Sequence, residues 1–276
     1  MLTAELRQKY DKLCDILKEM ESVAVAFSGG VDSTFLAFAA RAVLGSKALA
    51  VTAVSPTLPS GEELAVNDLS ARIGIHHVAV PSSEFNDGEF VKNGPDRCYI
   101  CKKIRFLELV AYAREHGYAW VADGGNLDDF DDYRPGMRAL AELSAAVRSP
   151  MIEVGLRKAD IRALSAHFGL PTWNKQSAAC LASRIPYGIA LLPERLAQID
   201  KAERVLAPHI KGSLRVRWHG DTARIEVAVE EFAAVLAHRE EIVKAVRDCG
   251  FAFVALDLGG YETGSLNELL PEKEEE

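Results

Sequence analysis

The sequence predicts an α/β protein: an open parallel five-stranded sheet, followed by a smaller C-terminal α+β domain. Three observations carry this. First, short apolar runs alternate with stretches of helical period: Val23 to Phe27, Ala48 to Val54, His77 to Val80, Trp120 to Asp123 and Met151 to Val154. That alternation marks a parallel sheet covered on both faces. Second, the first run leads through Ser28-Gly29-Gly30-Val31-Asp32-Ser33 directly into a helical pattern. Third, from Pro193 the order changes to helix, strand, strand, helix, strand. The expected domains are therefore 1–190 and 191–276.

Each element has its own signal. Thr3 to Met20 carries apolar residues at helical spacing, and Asp32 to Leu44 is a second helix stopped near Gly45. Ser60 caps a helix that Gly74 ends, and Gly117 ends the long helical pattern from Arg97 to His116. Residues 81–97 are polar, hold glycine and proline, and read mostly as loop. Met137 to Val147 is alanine-rich and helical, as is Lys158 to Phe168, closed by Gly169. Residues 172–190 have no regular period, and so long an irregular segment is usually functional or a linker. In the second domain Pro193 to Leu206 is helical. Leu214 to Trp218 and Ala223 to Val229 alternate as strands about His219-Gly220-Asp221. Glu230 to Asp248 is helical, and Phe251 to Leu258 is a last strand. An antiparallel sheet is expected there.

Composition narrows the function. The chain has 276 residues, 49% of them hydrophobic and 26% charged, enough for a sizeable core in a soluble protein. No apolar run is long enough to span a bilayer, and Met1 to Met20 lacks the apolar centre of a signal peptide. A cytoplasmic protein with no membrane partner is expected. The net charge of −8 disfavours broad nucleic-acid binding, which needs a positive footprint. Glu272 to Glu276 reads as a solvated end. Five cysteines without a secretion signal argue against a disulfide framework. Cys14 and Cys249 fall on apolar helical faces and read as core.

The strongest chemical motif is Ser28 to Ser33. A strand, a glycine-serine turn and a helix start make a phosphate cradle. Gly29 and Gly30 bring the backbone close to a ligand, and the helix start offers free N–H groups and partial positive charge. No Gly-Lys-Ser/Thr is present, so this is not a Walker A loop. Asp32 is a candidate ligand for Mg2+ on a pyrophosphate; as an acid in a first helical turn it is favourable there in any case. In a parallel sheet the carboxyl ends of the strands form the ligand rim. Ser28–Ser33, Ser55–Ser60 and Asp123-Gly124-Gly125-Asn126 should share it.

Cys98-Tyr99-Ile100-Cys101 starts a helix, which places both sulfurs within reach of one centre and favours thiolate. With Cys180 there are three thiols outside the predicted core. A closed zinc site needs four ligands, and no histidine stands at zinc-finger spacing. Three thiolates suit a reactive cluster; a redox pair with an isolated Cys180 nucleophile is the alternative, and three small buried residues the bland one. Arg184 follows four residues after Cys180. Arg215 and Arg217 alternate along one strand, so both face one way, as an anion site needs, unless the face is simply solvated. Glu203, on the preceding helix, is a general base or an arginine partner. The histidines show no cluster, and His76 and His77 read as a strand edge.

The phosphate motif resembles that of the PP-loop ATP pyrophosphatases, of the adenine nucleotide alpha hydrolase-like fold. Over almost the full length the chain is similar to the LarE family of ATP-dependent sulfur transferases. The resemblance rests on Ala26 to Ser33, Asp132-Tyr133-Arg134-Pro135-Gly136, Trp173-Asn174-Lys175, Ser183 to Gly188, Arg215-Val216-Arg217-Trp218-His219 and Asp257-Leu258-Gly259-Gly260. It implies that ATP adenylates the carboxylates of pyridinium-3,5-biscarboxylic acid mononucleotide, and that sulfur then displaces AMP to give thiocarboxylates of the nickel-pincer nucleotide of lactate racemase. By position, Ser28, Gly29, Gly30, Val31, Asp32 and Ser33 should bind ATP, with Asp123 and Gly124 near the nucleotide. Arg134, Ser183 and Arg184 should line the reaction centre, Arg215 and Arg217 should hold the substrate phosphate, and Glu203 is a catalytic candidate. One branch of the family sacrifices the sulfur of a single loop cysteine, which aligns opposite Ala179. This chain departs from that branch. Cys98, Cys101 and Cys180 look like the other branch, where three cysteines hold a [4Fe–4S] cluster that carries the sulfur. The resemblance also implies a homo-oligomer. A tRNA thiolase, an amidotransferase-type synthetase and a non-catalytic nucleotide-binding module are the competing readings. The acidic charge and the absence of further Cys-x-x-Cys pairs weigh against the first, and the three cysteines against the second. The arginine-rich second half weighs against the third.

Overall fold

A computed structural model of the chain describes residues 2–130, 136–176, 179–262 and 264. The elements run α1 (Ala4–Met20), β1 (Val23–Ala26), α2 (Val31–Leu44), β2 (Ala48–Val54), α3 (Ser60–Ile73), β3 (His76–Pro81), α4 (Gly88–Val91), α5 (Arg97–Glu115), β4 (Trp120–Ala122), α6 (Gly136–Glu142), β5 (Val147–Arg148), α7 (Pro150–Glu153), α8 (Lys158–His167), α9 (Pro193–Leu206), β6 (Leu214–His219), β7 (Thr222–Val227), α10 (Phe232–Ala237), α11 (Arg239–Asp248) and β8 (Phe253–Leu256). None of the described helices is long and apolar enough to cross a membrane.

The chain divides into two compact units. The first comprises Met1–Ser55, Ser60–Asn86 and Cys98–Ala178; the second comprises Pro56–Pro59, Asp87–Arg97 and Ala179–Glu276. Residues 56–59, 87–97 and 179–190, grouped with the first domain on sequence, thus lie in the second unit.

Unit 1 holds the five-stranded sheet, all parallel, in the order β3-β2-β1-β4-β5. Its central strands β2, β1 and β4 are largely buried, while the edge strand β3 has no buried residue. Val23 and Val25 of β1 point into a core with Leu13, Leu17 and Met20 of α1, Phe35 and Leu36 of α2, and Ile161 and Leu164 of α8. Ala24, between them, joins Leu49, Val51, Phe106, Leu109 and Val121 on the opposite face. Two-sided burial explains why these strands read as continuous apolar runs. Thr3 caps α1, its hydroxyl accepting from the Leu6 amide at 3.2 Å. Cys14 lies half-buried at the margin of this core, and burial pushes its thiol up.

The fifth strand differs from expectation. It is Val147–Arg148, and the predicted strand residues Met151 to Val154 fall in and just after α7. Pro150 at the first helical position fixes φ for a helix start. Met151 is fully buried, so the apolar signal was sound while its strand assignment was not. On the opposite edge, the His77 ring bridges Thr52 at 2.8 Å and Asn67 at 2.9 Å, a structural role.

Unit 2 holds a three-stranded sheet in the order β6-β7-β8. The β6–β7 pair is antiparallel and joined by a two-residue turn, with Gly220 at φ +65°. The β7–β8 pair is parallel, so the sheet is mixed rather than purely antiparallel. The reason is the connection: α10 and α11 carry the chain back across before β8 begins. The predicted single helix from Glu230 to Asp248 is broken at His238. Leu196, Ile199 and Leu206 of α9, Val216, Ile225, Ile242 and Val246 form the buried interior.

Candidate active site

In unit 1 the phosphate loop leaves the carboxyl end of β1, and the Asp123 loop leaves that of β4. These neighbouring strands mark the point where the strand order reverses, the usual ligand crevice of such sheets. Gly29 sits at φ +70°, and a Cβ there would lie 3.0 Å from Val66 Cγ2. Both facts restrict the position to glycine. Gly30 precedes α2, and no side chain caps that helix. The start of that helix concentrates partial positive charge. Ser28 and Ser33 close the loop: their hydroxyls are 3.2 Å apart, and the Ser28 amide donates to Ser33 Oγ at 3.2 Å.

Gly124 lets the second loop approach. A Cβ on it would lie 3.3 Å from the Ser33 backbone nitrogen. Asp123 is nearly buried; its Oδ2 accepts from the Gly125 amide at 2.9 Å, and Oδ1 lies 3.4 Å from Lys102 Nζ. Two lysines join the phosphate loop without having been assigned there from sequence. Lys158 Nζ pairs with the Asp32 carboxylate. Lys175 Nζ donates to Gly29 O at 3.2 Å and to Glu62 Oε2 at 2.8 Å. Lys175 stood inside a motif already noted, but no periodicity ties either lysine to a loop more than a hundred residues away.

Cys98 and Cys101 lie at the start of α5, one helical turn apart and so on neighbouring positions of one face. Cys98 is exposed and Cys101 half-buried. Gly136 gives this turn room: a Cβ there would lie 2.9 Å from Lys102 Cδ and 3.7 Å from the Cys98 carbonyl. Tyr99, between the two thiols, donates to Glu142 at 2.8 Å and lies beneath Arg138, whose guanidinium is 4.0 Å from the ring centre. The pair therefore belongs to a fixed helix start rather than a loose loop.

In unit 2 the exposed Cys180 begins a short 3-10 turn, Leu181–Arg184, and the predicted residues gather on its backbone. Arg184 is almost fully buried. Its Nη1 donates to Ala179 O at 2.7 Å and Cys180 O at 3.1 Å. Its Nε and Nη2 each donate at 2.9 Å to the two oxygens of Glu203. Glu203 Oε1 also accepts the Val216 amide at 2.9 Å. Of the two roles left open for Glu203, the geometry is that of the arginine partner. Ser183 Oγ donates to Cys180 O at 2.8 Å.

Arg215 and Arg217 share one sheet face, opposite Glu226 and Arg224 of β7. They are not equivalent. Arg217 is buried; its Nη1 donates to Ser183 O at 2.7 Å, and its Nη2 to Glu226 Oε2 at 2.7 Å. Arg215 donates to Leu214 O at 2.6 Å and lies 5.1 Å from the Tyr261 ring centre. Burial pushes Arg215 below the usual arginine range, and the positive charges of Arg184 and Arg217 act the same way. Arg224 also pairs with Glu226, at 2.8 Å, and with Asp257, at 3.2 Å.

A strap held by two buried side chains completes this unit. Asn93 takes φ +58°, and its side-chain amide donates to Pro186 O at 2.8 Å and Ile189 O at 3.0 Å. Arg97 donates to Ala182 O at 3.0 Å and stacks over Tyr187 at 4.5 Å. Sequence reading left Asn93 in a loop and made Arg97 a helix start without a role; the one available signal was an asparagine before a glycine. Arg134, expected at the reaction centre, lies outside the described residues.

No family model matches the chain. It is 35% identical over 268 residues to the pyridinium-3,5-bisthiocarboxylic acid mononucleotide synthase of Lactiplantibacillus plantarum, covering 97% of this chain and 96% of that one. The chain belongs to the pyridinium-3,5-bisthiocarboxylic acid mononucleotide synthase (LarE) family. An uncharacterized protein of Synechocystis sp. is 39% identical over 268 residues, 96% of this chain and 99% of the relative. The NH(3)-dependent NAD(+) synthetase of Finegoldia magna is 30% identical over 189 residues, 62% of this chain and 76% of that one. That partial likeness is to a PP-loop enzyme and agrees with the sheet and the phosphate loop of this LarE-family chain.

Proposed function

We propose that this protein is an ATP-dependent sulfur transferase acting on pyridinium-3,5-biscarboxylic acid mononucleotide. The observation that carries the reading is the end-to-end similarity to a protein named as the bisthiocarboxylic acid mononucleotide synthase. The local geometry agrees: a glycine-shaped loop before an uncapped helix is suited to the phosphates of ATP.

The chemistry has two steps. A substrate carboxylate oxygen attacks the α-phosphorus of ATP, and pyrophosphate leaves. A sulfur nucleophile then attacks the carbonyl carbon of the resulting mixed anhydride, and AMP leaves as the C–O bond breaks. Adenylation is needed because a free carboxylate is a poor electrophile and has no adequate leaving group. Ser28 to Ser33 would hold the β- and γ-phosphates on backbone amides and hydroxyls, with Lys158 and Lys175 adding positive charge. Asp32 would carry Mg2+ on the departing pyrophosphate, exchanging its Lys158 contact for the metal. Asp123 and Gly124 would border the nucleotide. Arg215, the guanidinium least committed to carboxylates on its sheet face, would take the substrate phosphate. Arg184, Ser183, Glu203 and Arg217 would act as positioning residues that fix the Cys180 backbone.

For the sulfur source, Cys98, Cys101 and Cys180 are the ligands implied for a [4Fe–4S] cluster. Soft thiolates one turn apart at a helix start fit two of its ligand positions. When bound, the cluster would supply the sulfur. A homo-oligomer in the cytoplasm remains part of the proposal. The test is incubation of anaerobically purified, cluster-reconstituted protein with ATP, Mg2+ and the dicarboxylated pyridinium mononucleotide, read by mass spectrometry. AMP, pyrophosphate and a thiocarboxylate product with unchanged protein mass support the reading. Product with dehydroalanine at Cys180 would move the protein to sacrificial chemistry, and ATP turnover without sulfur incorporation would reject sulfur transfer.

A further inference from the structure

We propose that His209, His238 and Glu241 form a Zn2+ site in unit 2. Each offers one ligand atom, and these atoms lie within 4.8 Å of one another. His209 ends the short 3-10 turn Ala207–His209 that extends α9. His238 is the single residue between α10 and α11, and Glu241, three positions on, shares its side of α11. Two separate segments therefore deliver two imidazoles and one carboxylate to one point.

The side chains approach one another at ion-pair rather than hydrogen-bond distance. His209 Nε2 is 3.9 Å from Glu241 Oε1, and His238 Nδ1 is 3.7 Å from Glu241 Oε2. Both exceed hydrogen-bonding length. The two rings are 5.0 Å apart and tilted by 44°, too oblique to stack face to face. Zinc takes nitrogen and oxygen at about 2.0–2.2 Å, so tetrahedral ligand atoms stand roughly 3.3–3.5 Å from each other. Closing the site takes side-chain movement from separations of up to 4.8 Å. The His238 and Glu241 side chains are exposed enough to make it, while His209 is held more firmly. Imidazole nitrogens favour zinc and its neighbours over magnesium or calcium. Three protein ligands leave a position for water. The ion would tie the end of α9 to the α10–α11 joint, where the helix breaks. Because the unfolded chain does not hold these groups together, binding would stabilise the folded unit.

The experiment uses the full chain with Cys98, Cys101 and Cys180 replaced by serine, which removes competing thiolates. The wild-type chain with its accessible thiols carboxamidomethylated serves if that variant misfolds. Metal-free protein is dialysed against Zn2+, and Co2+ is used as a spectroscopic stand-in. The expected result is one equivalent of zinc, a Co2+ spectrum without thiolate charge transfer, and a zinc-dependent rise in Tm. His238→Ala and Glu241→Gln, both at exposed positions, should each weaken binding at least tenfold and abolish the Tm rise. Retention of less than half an equivalent, or affinity unchanged in both variants, would overturn the site. Sulfur-transfer activity enters none of these readouts.

Discussion

Replacing Glu203 with alanine separates support from chemistry at the Cys180 loop. The substitution removes three hydrogen bonds of 2.9 Å, two from Arg184 and one from the Val216 amide. Arg184 stays almost wholly buried, at 3% exposure, with only carbonyls and the Ser183 hydroxyl left as described acceptors. Breaking a buried ion pair by removing one partner costs about 3–5 kcal/mol. Counting three bonds to a charged acceptor at roughly 1.5 kcal/mol each reaches the same range. Hydrogen exchange measures it locally. Amides of β6 should exchange faster by about two to three and a half powers of ten, since every 1.4 kcal/mol is tenfold. Amides of β1, in the other unit, should not change and serve as the internal reference. Glu203→Gln keeps an acceptor for Val216 but turns an N–H2 toward the guanidinium, so it should fall between. If β6 exchange in Glu203→Ala stays within about threefold of wild type while sulfur transfer is lost, Glu203 acts on the reaction itself, and the supporting role is refuted.

Three further outcomes are expected. Burial pushes the Glu84 carboxyl up, but the Arg105 guanidinium and the Ser55 hydroxyl outweigh it, so its folded value lies below the usual glutamate range. A depressed folded value stabilises the protein above the unfolded value and loses that contribution as pH falls through the folded one. Glu84→Gln should therefore lower stability at neutral pH and flatten the acid limb of a Tm-against-pH curve. In timed iodoacetamide labelling, exposed Cys98 and Cys180 should react before Cys14 and Cys249, whose thiols are half-buried and pushed up by burial. Peptide mass spectrometry reads the order, and early labelling of Cys14 would contradict the packing of α1. Arg215→Ala should raise KM for the pyridinium mononucleotide by about tenfold or more, since a hydrogen bond to a charged group contributes roughly 1.5–3 kcal/mol. The KM for ATP should hold in the same steady-state assay.

What the sequence disclosed depends on whether a residue's partner is near it in the chain. The centre of the sheet was legible because strands buried on both faces must be apolar throughout, and Ser28 to Ser33 because strand, glycine turn and helix start are contiguous. The fifth strand was misplaced because a short apolar run does not distinguish strand from helix, and Pro150 decided it. The alternation of Arg215 and Arg217 correctly put them on one face, but it is silent on which meets a carboxylate. That is decided by Glu226 on the neighbouring strand. Lys158, Lys175 and Asn93 were not assigned their roles for the same reason: each acts on backbone or carboxylate from a remote segment.

The residues that looked most chemical in unit 2 are the ones most heavily bonded to protein. Arg184 spends its donors on Glu203 and on the carbonyls of Ala179 and Cys180, and Arg217 on Glu226 and Ser183 O. A guanidinium committed to buried carboxylates and carbonyls has little left to offer a substrate without breaking those bonds. Such bonds are expensive to break in a site shielded from water. The same commitment makes these arginines good supports, because a planar fork fixes the direction of every carbonyl it holds. Cys180, with its thiol exposed and its carbonyl held by both Arg184 and Ser183, is thereby presented on a rigid turn. Arg215 alone on its face is described without a carboxylate bond, and it sits in the positive field of Arg184 and Arg217. An arriving phosphate would relieve that repulsion rather than compete with an existing ion pair, and on that ground we propose the anion-binding role for Arg215 and the supporting role for its neighbour two residues on.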